Sequence, residues 1–148
     1  MKTLRYLLLA MLVGITTSMA AKPEKQAHVY MFGFSASFKD SVVYITEIHD
    51  VQGAWTDSKT KFLLGLDNYS YQLKDHLNQQ LHESDRVCMV FFDTDQKKAE
   101  KKYQKLRKKY QTPAKKNGKK QEAAPVNYEI RLIQRQDFKF EPIDMSTE

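Results

Sequence analysis

The order of patterned segments predicts an α+β fold: a two-layer sandwich with a mixed sheet of about four strands, in chain order β-β-α-β-α-β, and two helices packed on it. Three observations lead there. Residues 28–38 and 42–51 alternate between two faces with the period of a strand. Val87 to Phe92 is an uninterrupted apolar run, the mark of a strand covered on both faces. Residues 67–82 and 94–110 carry apolar side chains three and four apart, as amphipathic helices do.

Taken in order, His28 to Phe38 places Tyr30, Phe32, Phe34 and Phe38 on one side and Val29, Met31, Gly33, Ser35 and Ser37 on the other. Val42 to Val51 repeats the alternation, and Lys39-Asp40-Ser41 makes a three-residue hairpin loop. Pairing Phe38 with Val42 sets Phe34 opposite Thr46 and Phe32 opposite Ile48, whereas a slip of one residue opposes Phe32 to Glu47, so the first register is preferred. Gln52 to Leu66 follows neither period and holds the single tryptophan, Trp55, which caps the core, extends the second strand or marks a binding loop.

Asp67 or Asn68 is placed to cap a helix reaching about His82, in which Tyr69, Leu73, Leu77 and Leu81 or Gln80 recur at helical spacing. Val87 to Phe92 is expected as the central strand. Asp93 then accepts from the first amides of a second helix, about Thr94 to Tyr110, while Gln96 reaches back as in a capping box. Its apolar stripe is Ala99, Tyr103, Leu106 and Tyr110. Val126 to Ile133 alternates again, and the strand-helix-strand succession puts the third and fourth strands in one sheet.

The segments outside this domain, residues 27–140, are equally patterned. Met1 to Ala20 reads as a signal peptide, with Lys2 and Arg5 at the start, a short apolar stretch from Tyr6 to Val13, and small residues at Ser18 and Ala20. Cleavage after Ala20 is expected, giving an exported protein, periplasmic or secreted, with no transmembrane segment after cleavage. Residues 21–26 read as a flexible N-terminus, 111–125 as a basic flexible connector, and 141–148 as a frayed tail. Cys88 is the only cysteine, so no internal disulfide holds the fold and packing must do so.

The formal net charge of +6 is unevenly placed. Loss of Lys2 and Arg5 leaves +4; Lys97 to Lys120 alone carries twelve basic residues against Glu100, a balance of +11, so the rest of the mature chain sums to −7. A mildly acidic body bearing one strongly basic segment favours anionic partners.

Three stretches, GFSASFKDSVVYITEI, DNYSYQLKDHL and the lysine-rich helix after FFDTD, resemble a group of small exported proteins of unknown function from Gram-negative bacteria. The resemblance covers most of the mature chain. It implies export and supplies no substrate, catalytic residue or partner.

The candidate contact surface is therefore Lys97, Lys98, Lys101, Lys102, Lys105, Arg107, Lys108 and Lys109 on the second helix, extended by Lys115, Lys116, Lys119 and Lys120. Beyond the inner membrane the fitting partners are envelope phosphates, acidic glycans or an acidic protein surface rather than a specific nucleic acid. The leading expectation is a binding module. A small divalent-metal enzyme using Asp93 and Asp95 is the first alternative, since acids at the end of a buried strand sit where α/β sheets bind ligands. A structural envelope protein without a ligand is the second. No glycine-rich phosphate loop, nucleophile elbow, CxxC or HExxH is present, so no cofactor is expected. The four histidines form no ligand pair: His76 and His82 are six apart, and His28 and His49 fall on opposite faces of paired strands. Each is expected to be satisfied or exposed, and Cys88 to be buried by packing.

Overall fold

The computed structural model describes residues 22–112 and 126–147. The proposed signal peptide and most of the basic connector, with Lys115, Lys116, Lys119 and Lys120, lie outside the described residues. The chain forms an α+β fold whose main sheet is mixed, built from β2 (Val29–Ala36), β3 (Val42–Thr46), β4 (His49–Val51), β6 (Val87–Asp93) and β7 (Glu129–Ile133). A small second sheet pairs β1 (Pro23–Lys25) with β5 (Trp55–Asp57). The two helices are α1 (Leu66–Gln80) and α2 (Gln96–Gln111).

Strand β2 organises the sheet. Along one side it pairs antiparallel with β6, from Tyr30 opposite Asp93 to Ala36 opposite Val87. Along the other it pairs with β3 at Phe34 opposite Ile45 and with β4 at Met31 opposite His49. Between those two points β2 contributes Phe32 and Gly33 while the partner contributes Thr46, Glu47 and Ile48, so one extra residue is accommodated as a β-bulge. The expected register holds at β4 and is displaced by one residue at β3, where the rejected slip is the pairing observed. Phe38, expected in the ladder opposite Val42, is 97% exposed beyond the end of β2.

Strand β6 is an edge rather than the central strand: β2 is its one partner among the described residues. Its run of apolar residues is therefore only partly covered, and Val87 and Met89 are exposed. Strand β7 pairs parallel with β3 at the opposite side of the sheet, so β6 and β7 do share a sheet and a direction, with β2 and β3 between them. β7 begins at Glu129, leaving Val126 and Tyr128 outside the ladder.

Both faces of β2 are buried because each face receives a helix. Val29 and Met31 face Tyr69, Leu73 and Leu77 of α1. Phe32 and Phe34 face Tyr103 of α2, with Leu106 and Tyr110 completing the expected stripe. The helices thus lie on opposite faces of the sheet instead of sharing one. Burial of each such side chain contributes about 1.5 to 3 kcal/mol, which is how packing holds the fold without a disulfide.

Helix α1 starts earlier than either Asp67 or Asn68 suggested. Gly65 is the N-cap, in the left-handed region at φ 71°, and no side chain caps the helix, so Asp67 sits within the first turn. Glycine takes that conformation without the steric cost a side chain would add.

Two of the three segments read as loose are tied down. Residues 23–25 are held by the ladder to β5, and Lys25 lies over the half-buried Trp55 ring at 5.9 Å. The loop expected at 52–66 thus includes a strand. At the other end, the Glu141 amide donates to Gln72 Oε1 at 2.9 Å, the Ile143 amide donates to the Tyr69 hydroxyl at 3.2 Å, and Met145 is buried. The tail docks across α1 because Phe138, Phe140 and Ile143 complete that core.

Arg86, its side chain 1% exposed, locks the start of β6 to the hairpin. It donates to Glu83 Oε2, Asp40 Oδ2 and the Val42 carbonyl, each at 2.9 Å, and its guanidinium lies over the Tyr44 ring. Among the described residues no helix is long and apolar enough to cross a membrane.

Candidate functional site

Helix α2 emerges directly from the end of β6, and its termination chemistry decides what the two acids there do. Asp95, in extended conformation, is the N-cap, and its Oδ1 accepts the Lys98 amide at 3.0 Å. Asp93 sits one step earlier: its Oδ1 accepts the Asp95 amide at 3.0 Å and its Oδ2 pairs with Lys102 Nζ at 3.0 Å. The cap expected of Asp93 thus belongs to Asp95, and Gln96 donates forward to Glu100 instead of reaching back. Burial pushes the Asp93 carboxyl up, but the Asp95 amide and Lys102 outweigh it, so it lies below the ordinary carboxylate range. Both acids are engaged in starting the helix. Among the described residues no three His, Cys, Asp or Glu side chains gather where they could hold a metal ion.

With Ala99 and Tyr103 buried against β2 and β6, every other face of α2 is left to water. Lys97, Lys98, Lys101, Lys105, Lys108 and Lys109 are exposed and make no ion pair with a described residue. The other two candidates are partly engaged. Lys102, besides its pair with Asp93, donates to the Phe92 carbonyl at 2.7 Å, and Arg107 lies over the Tyr103 ring at 5.6 Å. Lys109 also rests over the Tyr110 ring at 5.7 Å. Lys108 and Lys109 occupy the last turn, where cations complement the negative end of the helix dipole. The helix presents an array of exposed ammonium groups along its water-facing side.

Cys88 faces the α1 core and is half-buried, less covered than a central strand would have made it. Its thiol donates to Ser35 Oγ at 3.5 Å, and burial raises its pKa, which suppresses the reactive thiolate.

Three histidines agree with the sequence reading. His28 pairs with Asp50 at 2.9 Å at the surface, His82 is exposed, and His76 lies against the Phe138 ring. His49 departs from it. The residue is 6% exposed, and its ring packs against those of Phe138 and Phe140. Nδ1 accepts the Phe140 amide at 3.4 Å, while Nε2 is buried with no hydrogen-bond partner among the described residues. Burial and the nearby cations Arg135 and Lys139 lower its pKa to about 4, against the opposing influence of Glu47. His49, Arg135 and Lys139 border one cavity of about 360 Å³. Sequence reasoning missed this group because Arg135 and Lys139 lie far along the chain from His49. The one available signal was the alternation of aromatic and basic residues after β7, in Phe138-Lys139-Phe140.

Comparison with protein families, with curated proteins and with solved structures finds no match to this chain.

Proposed function

We propose that this is an exported binding module that uses the lysine face of α2 to engage an anionic envelope component or an acidic protein surface. The observation that carries the reading is the set of exposed lysines, Lys97, Lys98, Lys101, Lys105 and Lys108, which have no acidic partner among the described residues while the apolar side of the same helix is packed away. A helix whose fold requires only its stripe is free to use the rest of its surface for contact. Clustering eight cations within sixteen residues creates a local field that attracts polyanions and weakens as salt screens it. Export rests on the Met1 to Ala20 pattern and on the resemblance to small exported proteins.

The test compares wild type with a Lys101→Glu, Lys105→Glu, Lys108→Glu variant. Binding is measured to phosphatidylglycerol–phosphatidylcholine vesicles, to lipopolysaccharide and to an acidic glycan across a salt series. Exposed substitutions of this kind shift stability by only about 0.5 kcal/mol each, so the circular-dichroism spectrum should be unchanged. The expected result is salt-sensitive binding by wild type and its loss in the variant. Equal binding by both proteins, or none by either, would reduce the lysines to a solvating surface.

A further inference from the structure

We propose that the cavity bordered by His49, Arg135 and Lys139 binds a small organic carboxylate. This site is separate from the lysine face of α2 and does not rest on the function proposed for it. The argument begins with the orphaned imidazole nitrogen. The His49 ring is neutral at ordinary pH, and its Nδ1 accepts the Phe140 amide, so the ring proton resides on Nε2. A buried N–H without an acceptor is uncommon in folded proteins, because it loses its bond to water without replacement. Here it is next to two cations that make no ion pair with a described residue, Arg135 and Lys139. His49, Arg135 and Lys139 therefore border one cavity, and although Nε2 has no surface open to it, an oxyanion admitted past the wall could satisfy all three.

The remaining walls select the kind of anion. Val51, Phe140 and Pro142 supply apolar surface, so an organic body has somewhere to lie. Asp50 and Glu141 also border the space, Asp50 being engaged by His28. A phosphate dianion would meet those acids as well as the two cations. The two cations and two acids balance in charge, so the apolar wall decides: an organic monoanion packs its body on Val51, Phe140 and Pro142, which a fully hydrated phosphate cannot do. Nε2 is sealed from water in the ligand-free chain, so seating the anion requires movement at the cavity wall. The exposed, flexible stems of Arg135 and Lys139 allow their cationic heads to follow the ligand.

The experiment follows the His49 imidazole resonances of the full mature protein by NMR while butyrate is added at constant ionic strength. Inorganic phosphate is titrated in parallel. The expected result is a saturable shift at His49 with butyrate, a weaker response to phosphate, and about tenfold weaker butyrate binding in Arg135→Gln and in Lys139→Gln, as loss of a charge-assisted contact predicts. Both side chains are exposed, so unchanged backbone spectra will verify that these variants fold. The triple glutamate variant of α2 should bind butyrate as wild type does, which separates failure of this site from failure of the lysine face. Absence of a saturable His49 shift, an equal or stronger response to phosphate, or undiminished binding in both glutamine variants would each overturn the proposal.

Discussion

The Thr46 hydroxyl accepts the Gly33 amide at 2.8 Å and donates to the Glu47 carbonyl at 2.8 Å, so one side chain satisfies the backbone where the ladder is interrupted. This is the bulge between β3 and β4, and both residues are confined there. A Cβ on Gly33 would stand 2.6 Å from Leu73 Cδ2 and 3.3 Å from both Phe140 and Thr46, so the strand needs glycine for close approach of α1.

Replacing Thr46 by Val keeps the shape but leaves the buried Gly33 amide without an acceptor. A loss of about 1 to 3 kcal/mol is expected, while Thr46→Ser, which retains the hydroxyl, should lose less. Urea unfolding of the three proteins checks this. Equal stability of Thr46→Val and wild type would mean that the hydroxyl is not the amide's necessary partner.

The low pKa of His49 makes stability depend on pH with a definite sign. In the folded chain the ring titrates at about 4, below its ordinary 6.5, so between those values the unfolded chain binds more protons. Stability should be complete above pH 6.5 and fall as the pH drops toward 4, by a total on the order of 3 kcal/mol from this residue. The measurement is the difference in unfolding free energy between wild type and His49→Gln across that window. A difference that does not change with pH would contradict burial of a neutral ring.

Asp95→Ala removes the cap of α2 and should cost about 0.5 to 2 kcal/mol, read by thermal melting. Because Asp93 and Asp95 are engaged by backbone amides and Lys102, addition of a divalent cation should leave the melting temperature of wild type unchanged. A large metal-dependent rise that disappears in Asp95→Ala would restore the metal site as a reading of these acids.

Much of the architecture was legible because it depends on local periodicity. The stripe Ala99, Tyr103, Leu106, Tyr110 identified the packed side of α2, and through it the exposed lysines, since a helix repeats its faces every 3.6 residues wherever it is placed. The strand pattern of Val29 to Ala36 was legible for a similar reason. Its register was legible at β4 but not at β3: alternation cannot register a bulge, which changes the phase by one residue while preserving alternation on either side.

Composition and periodicity in the sequence determined the α+β class, both helices, the four main strand segments and the segregation of positive charge onto one helix. Tertiary structure alone decided that the helices occupy opposite faces, that β6 is an edge, that residues 23–25 and the tail dock, and that His49 meets Arg135 and Lys139 at one cavity. The division follows the range of the forces. A helix or strand pattern is written by neighbours a few residues apart, whereas an edge, a docked tail or a cavity depends on which distant surfaces come together, and that is settled only when the whole core packs.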